Sequence, residues 1–232
     1  MELEALLALN GLTRFAPYAG RFAELTADLL EYNRHVNLTA VRDEAGVYLR
    51  HIVDSLTVEP FLPSGASLLD VGCGGGFPSL PLAIVRPDLR VTSLDSTAKK
   101  LVFIEKQAEK HSLSLVTCCA RAEELGKGAA REGYDAVCAR GVAEMRMLCE
   151  LCLPLVRVGG VFLAMKNGGC GEELDAAKKA VSVLGGEIAE IADVVLTDGT
   201  EDLHHAVIVV RKTALTPAQY PRDWNRISKK PL

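Results

Sequence analysis

Between Leu68 and Pro78 the chain reads Leu68-Leu69-Asp70-Val71-Gly72-Cys73-Gly74-Gly75-Gly76-Phe77-Pro78. A β-prone run passes directly into four glycines within five residues, and a proline ends the stretch. Many doubly wound sheets carry such a junction. Glycine adopts backbone angles that other residues avoid, and it lets a ligand approach the main chain without a Cβ clash. Proline suits a first helical position, where the N–H has no intrahelical partner in any case. The stretch therefore predicts a strand, a ligand-facing turn and a helix opened by Pro78.

The rest of the chain repeats that unit. Short β-rich runs at Ser67–Val71, Arg90–Leu94, Leu113–Cys118, Asp135–Ala139 and Val161–Met165 alternate with helical candidates at Ser79–Val85, Thr97–Lys110, Ala143–Val156 and Glu172–Leu184. Such alternation predicts βαβ units and a parallel sheet covered on both faces. The last two runs, Ile188–Leu196 and Ala206–Arg211, are joined by the polar turn stretch Thr197 to Asp202 with no helix between them. They predict an antiparallel hairpin at the sheet edge. Ahead of Ser64 no strand is expected. Phe22, Leu25, Leu29 and Tyr32 recur at helical spacing, as do Val47, Tyr48, Ile52 and Leu56, and Pro60 and Pro63 close the region. The expected class is α/β: a mostly parallel seven-stranded sheet with an antiparallel edge strand and an N-terminal helical extension. The expected divisions are residues 1–63, 64–212 and an irregular basic tail over 213–232. With 232 residues, 49% of them hydrophobic, the chain can bury a sizeable core.

Two acids restrict what the turn can bind. Asp95 ends the second β-run, 23 residues after Gly72, where a carboxylate accepts hydrogen bonds from ribose hydroxyls. Asp70 stands just before Gly72, a position usually apolar in an NAD-binding turn. A helix N-terminus suits a pyrophosphate, whereas an acid beside it suits a cationic group. Together with the terminal hairpin, these acids favour S-adenosylmethionine, with its positive sulfonium and α-amino groups, over NAD. Asp70 can also be an acceptor that pins the turn's own amides, and the two roles are compatible. An NAD-dependent oxidoreductase is the competing enzyme reading.

Further motifs are spread along the chain: Asn37-Leu38-Thr39, Arg50-His51-Ile52-Val53-Asp54-Ser55, Arg86-Pro87, Leu94-Asp95-Ser96, Arg121-Ala122-Glu123-Glu124, Ala139-Arg140, Lys166, and Tyr220-Pro221-Arg222 followed by Lys229-Lys230-Pro231-Leu232. With these and the Asp70–Pro78 turn, the chain resembles the RsmG (GidB) methyltransferases over nearly its whole length. The Asn-Leu-Thr and Arg-His-x-x-Asp-Ser elements are much more specific than the turn. The resemblance implies a Rossmann-like class I methyltransferase that uses S-adenosylmethionine and methylates N7 of a guanine in small-subunit (16S) ribosomal RNA, with that RNA or the small ribosomal subunit as partner. It also implies cofactor contacts at Gly72, Phe77, Asp95, Ser96, Thr97, Ala122, Glu123 and Arg140. The reading of the turn adds Asp70 and Gly74. Between Tyr220-Pro221-Arg222 and the last basic cluster the chain departs from the family's Gly/Pro-containing pattern, with Asp223-Trp224-Asn225-Arg226-Ile227-Ser228. The alternative from another class is a non-catalytic RNA-binding or assembly factor on the same scaffold.

Guanine N7 has a lone pair and no proton to remove, so no general base is expected. The chain has neither the Pro-Pro of adenine amino-group methylation nor a Pro-Cys nucleophile for C5 methylation. Orientation remains, and Arg140 and Lys166, at the ends of neighbouring strands, are the candidates for guanine O6, phosphate or cofactor contacts. N7 lies in the deep, narrow groove of A-form RNA, so the target base is expected in a loop or extruded. Arg50 and His51 are RNA-binding candidates, although Arg50 and Asp54 are spaced to pair with each other, and a lone histidine on a helix is commonly structural.

Charge is unevenly distributed. From Arg211 onward six basic residues (Arg211, Lys212, Arg222, Arg226, Lys229, Lys230) face one acid, Asp223; that stretch carries +5, and since the whole chain carries −4, the preceding 210 residues carry −9. Arg222, Arg226, Lys229 and Lys230 are therefore RNA-binding candidates, and removal of 213–232 is expected to weaken RNA binding while leaving cofactor binding intact. Seven cysteines show no disulfide-like rhythm, and Cys149-x-x-Cys152 has no second pair to complete a zinc site, so they read as reduced core thiols, with no metal. No apolar run is long enough to span a bilayer, and Met1-Glu2-Leu3-Glu4 does not resemble a signal peptide. A cytoplasmic protein with no membrane association is expected, and a monomer is favoured.

Overall fold

The computed structural model describes residues 2–232. Helix α1 (Leu3–Leu9), a 3₁₀ turn at Thr13–Tyr18, α2 (Ala19–Tyr32), and a rod made of α3 (Glu44–Val47), a π-helical segment at Tyr48–Val53 and α4 (Asp54–Leu56) precede the sheet. The alternating part follows as β1 (Ser67–Val71), α5 (Ser79–Val85), β2 (Arg90–Asp95), α6 (Ala98–Lys110), β3 (Leu115–Cys119), α7 (Ala122–Leu125), β4 (Tyr134–Arg140), α8 (Met145–Cys152), β5 (Val156–Asn167) and α9 (Gly171–Val183). Strands β6 (Gly186–Thr197) and β7 (Asp202–Lys212) form the hairpin, and α10 (Trp224–Lys229) comes last.

The strands lie in the order β3-β2-β1-β4-β5-β7-β6. All neighbours are parallel except β7, which runs antiparallel to both β5 and β6. The chain winds outward from β1 to β3 and then returns to lay β4 on the other side of β1. That reversal opens a crevice at the carboxyl ends of β1 and β4, where ligands bind in sheets of this kind.

Period-two alternation along the strands feeds two apolar layers. Leu68, Ala136, Cys138, Leu163 and Val209 meet the N-terminal helices, α5 and α6, with Phe22, Leu25, Leu29 and Phe103 among the side chains buried there. Leu69, Val137, Phe162 and Val210 meet α8, α9 and Ile227 of α10. The N-terminal helices thus complete one face of the sheet. Among the described residues no helix is long and apolar enough to cross a membrane.

Several boundaries differ from expectation for local reasons. Pro78 is the N-cap of α5, with the first helical residue at Ser79. The expected helix Ala143–Val156 ends at Cys152 and tightens into a 3₁₀ turn at Leu153–Leu155, because Pro154 cannot donate to the helical ladder. Strand β5 starts at Val156 rather than Val161, with a register shift opposite Tyr134 and Ala136. Gly160 makes this possible, since a Cβ there would lie 2.6 Å from the Asp135 carbonyl oxygen. The C-terminal stretch is not irregular throughout. Arg131 donates to the carbonyls of Thr216 and Tyr220, both at 2.6 Å, and Ile227 is fully buried.

Candidate cofactor cleft and substrate cavity

A cleft of about 280 Å³ opens over the ends of β1, β2 and β3, lined by Gly72, Asp95, Ser96, Thr97, Lys100, Arg121, Ala122, Glu123, Gly141, Val142 and Trp224, among others. The turn is built as its glycines demand, with Gly72 at φ +71°, Gly74 at +56° and Gly76 at +90°. A Cβ on Gly76 would lie 2.5 Å from Leu80 Cδ1, so the turn is packed directly onto α5. Asp95 fastens the turn to β2: one carboxylate oxygen accepts from the Thr97 amide at 2.8 Å, and the other from the Gly74 amide at 3.2 Å. Lys100 approaches that second oxygen at 3.4 Å. Glu123, almost fully buried, takes the Arg121 guanidinium at 2.6 Å. Two carboxylates therefore stand at the ends of neighbouring strands beside a backbone that a ligand can touch.

Asp70 acts one layer below. It is fully buried and does not line the cleft. Its Oδ2 accepts from the Ser79 amide at 3.1 Å, the first helical N–H of α5. The turn's own amides are thus held by Asp95 and by the Leu94 carbonyl rather than by Asp70. An internal carboxylate occupies the position where a helix start would otherwise meet a pyrophosphate. Burial pushes the Asp70 carboxyl up to about 6, against the opposing hydrogen bonds from Ser79.

A second cavity, of about 510 Å³, lies at the ends of β4, β5 and β7 and is lined by Arg50, Asp54, Arg140, Gly141, Lys166, Asn167, Glu173 and His205, among others. Gly141 belongs to the walls of both spaces. Arg140 donates through Nη1 to Asp54 Oδ2 at 2.7 Å and to the Arg50 carbonyl at 2.8 Å. The other Asp54 oxygen lies 2.8 Å from His205 Nδ1. Lys166 is bound to Glu173 at 2.6 Å and to the Ala143 carbonyl at 3.1 Å. A hollow of about 520 Å³ between Arg42 and the β6–β7 turn is as large, but it has neither the glycine turn nor Asp95.

His51 is packed and hydrogen-bonded within the fold. Its ring stacks on Phe77 with centroids 4.8 Å apart, and Nε2 lies 2.7 Å from Thr39 Oγ1. The Arg50 carbonyl, 2.9 Å from Nδ1, can only accept, so Nδ1 carries the hydrogen and Nε2 of the neutral ring accepts from the Thr39 hydroxyl, whose oxygen also accepts from the Val41 amide. Burial, with the Arg140 charge, pushes the imidazole down to about 4. The ring is neutral at pH 7.

The family model for rRNA small subunit methyltransferase G (GidB) matches residues 20–199. The chain belongs to this family. Relatives named ribosomal RNA small subunit methyltransferase G include the protein of Levilactobacillus brevis, 42% identical with 100% of this chain and 98% of that one aligned. The protein of Lactobacillus delbrueckii subsp. bulgaricus is 44% identical over 91% of this chain and 90% of its own. Among solved structures, a precorrin-6y C5,15-methyltransferase from Geobacter metallireducens shares 19% identity and a TM-score of 0.51 over 69% of this chain and 87% of its own. The [4+2]-cyclase SpnF shares 18% identity and a TM-score of 0.58 over 84% and 95%. These two likenesses concern the fold, which carries more than one chemistry.

Within this family member, Gly72, Asp95, Ser96, Thr97, Ala122 and Glu123 come together in the smaller cleft, whereas Arg140 and Lys166 line the larger cavity. Phe77 is buried beneath His51 and does not line the cleft, and Gly74 touches it only through the hydrogen bond to Asp95. Arg50 is exposed and does not pair with Asp54, which is taken by Arg140 and His205. Of the tail cations, Arg226, Lys229 and Lys230 are exposed. Arg222 is not free, because its fork closes on Glu150 at 2.6–3.1 Å. Lys212 is fully buried against the Leu153 carbonyl and Thr216. The thiols are also not uniformly in the core: Cys149 and Cys152 are buried, the former pushed up to about 12 by burial, but Cys119 is exposed on the edge strand. Trp224, Lys100 and His205 also line these spaces, and no local motif in the sequence assigns them to a site. Arg121 was within reach, since it precedes Ala122 and Glu123.

Proposed function

We propose that the chain transfers a methyl group from S-adenosylmethionine to N7 of a guanine in small-subunit ribosomal RNA, with the cofactor in the smaller cleft and the target base in the larger cavity. The observation that carries this reading is Gly141, a residue without a side chain that walls both spaces, so that the two adjoin there. The donor set of the smaller cleft suits the cofactor. Asp95 would accept from ribose hydroxyls, the Gly72 backbone would approach the aminoacyl portion, and Glu123 would border the base. When bound, S-adenosylmethionine supplies an electrophilic methyl on a sulfonium.

The charges around the larger cavity suit a base that becomes cationic. Arg140 is matched by Asp54, Lys166 by Glu173, and His205 also faces Asp54. A bare cation beside N7 would oppose the developing positive charge, whereas these pairs can donate hydrogen bonds without adding an uncompensated charge. N7 carries no proton, so the protein's task is to hold the base in line and exclude water, and such positioning is worth roughly 7–11 kcal/mol of barrier. Arg140, fixed by Asp54, would orient the base through O6 or a neighbouring phosphate. Arg50, Arg226, Lys229 and Lys230 would grip the backbone.

The test is incubation of the full chain with radiolabelled S-adenosylmethionine and small ribosomal subunits, naked small-subunit RNA or protein substrates, followed by nucleoside mapping. Label at 7-methylguanine is the expected result. Label confined to protein, or at another position of RNA, overturns it, and cofactor binding without transfer to any substrate points to a silent RNA-binding factor.

A further inference from the structure

We propose that Trp224 is a cofactor-binding residue, the wall on which the base of the bound nucleoside stacks; this rests on the reading of the smaller cleft as the S-adenosylmethionine site. Trp224 opens α10 and lines that cleft together with Asp95 and Glu123. The Arg121 guanidinium lies over its ring, 5.0 Å from the centroid. Trp224, Arg121 and Glu123 also line a neighbouring hollow of about 430 Å³. The indole therefore stands between two spaces as a partition and does not plug the core.

The last segment has anchors other than Trp224. Trp224 is 36% exposed, whereas Ile227, three residues later, is fully buried. The segment is anchored by Ile227, by Arg222 on Glu150, by the ion pair of Asp223 with Lys127, and by Arg131 on the Thr216 and Tyr220 carbonyls. An aromatic left partly open to a polar cleft gains from a flat ligand that covers it. Its place along the cleft says which part of the ligand that is. Asp95 ends β2 and marks the ribose. Arg121 and Glu123 follow β3, on the side of Asp95 away from β4 and Gly141. Trp224 is therefore at the base end, remote from the transferred methyl. It sets affinity and favours adenosine-bearing ligands, without touching the reacting atoms.

Trp224 is the single tryptophan of the chain, so intrinsic emission reports this wall directly. The full chain is titrated with S-adenosylhomocysteine, S-adenosylmethionine and methionine, by fluorescence and in parallel by calorimetry. A saturable emission change with both nucleoside ligands, at the calorimetric Kd and absent with methionine, is expected. W224A weakens S-adenosylhomocysteine binding on the order of tenfold and W224F restores most of it, as base–aromatic stacking predicts. Thermal melts of the ligand-free variants check that the fold is kept. Calorimetric binding with silent emission, or W224A within twofold of the parent, overturns the role of Trp224 and leaves the cofactor reading intact. Absence of calorimetric binding to the parent chain overturns the cofactor reading, and the Trp224 proposal with it.

Discussion

Arg140, at the end of β4, holds its Nη1 2.7 Å from Oδ2 of Asp54, a buried carboxylate on the N-terminal helical rod. Burial works to raise the Asp54 carboxyl, but hydrogen bonds from His205 and Arg140 outweigh it and hold the group below the usual carboxylate range. One acid thus joins β4, β7 and the N-terminal helices where the larger cavity opens. Replacing it strands two donors. Asp54→Ala is expected to cost about 3–5 kcal/mol of stability, the range for breaking a buried pair from one side, as read from urea unfolding. In the folded fraction, methyl transfer to RNA is expected to fall at least tenfold (roughly 1.4 kcal/mol), while S-adenosylhomocysteine affinity by calorimetry stays within about twofold. An equal loss of cofactor affinity would place the network in the cofactor cleft instead.

A second buried pair fixes the C-terminal segment. Glu150 of α8 is fully buried and receives the Arg222 backbone amide at 2.8 Å as well as its guanidinium. Arg222→Met leaves that buried carboxylate without its counter-charge, so a loss of about 3–5 kcal/mol is expected. The double change Arg222→Met with Glu150→Leu is expected to recover most of the loss, because an apolar pair carries no desolvation penalty. Chemical denaturation of the two single variants and the double variant closes the cycle. Additive effects would mean that the two groups do not depend on each other.

How much of this was legible in the chain depends on the range of the interactions. Ser67–Val71 and Ser79–Val85 have the same bounds in the structure as in the sequence reading, because glycine and proline flank short apolar runs there. Strand β5 is longer than its apolar centre, since Arg157, Gly159 and Gly160 carry no alternation, and pairing with β4 and β7 extends it. The turn and Asp95 were readable because a local motif defines them. The contact of Asp54 with His205 joins residues 151 positions apart, and no local pattern announces such a meeting. The docked tail was hidden for the same reason. Its anchors, Glu150, Arg131 and Lys127, all belong to distant segments.

Asp70 gives a pH signature. An unfolded chain releases this proton near 3.8, but in the folded state burial raises the carboxyl to about 6. Between those values the folded protein holds more protons than the unfolded chain, so the group's contribution to stability is full below about pH 4 and is lost as pH rises through 6. A separation of two units corresponds to about 3 kcal/mol. Asp70→Asn does not titrate. Its stability relative to the parent is therefore expected to rise between pH 4 and 6 and then level off, as measured by urea midpoints across that range. A difference independent of pH would show that Asp70 is ionised throughout.

The C-terminal charge requires a finer experiment than deletion of 213–232. Thr216 helps to cage Lys212, Ile227 belongs to the core and Trp224 lines the cleft, so a truncated chain would lose stability and a wall of the smaller cleft together with its positive charge. Neutralisation in place separates these effects. Arg226, Lys229 and Lys230 are exposed and form no ion pair among the described residues. If all three meet phosphates, Arg226→Gln, Lys229→Gln and Lys230→Gln together should reduce the slope of log K against log salt by about 2–3, each contact contributing roughly 0.7–0.9. Binding of small-subunit RNA measured at several salt concentrations gives that slope, while calorimetry with S-adenosylhomocysteine is expected to match the parent. An unchanged slope would assign the RNA grip to Arg50 and the larger cavity rather than to α10.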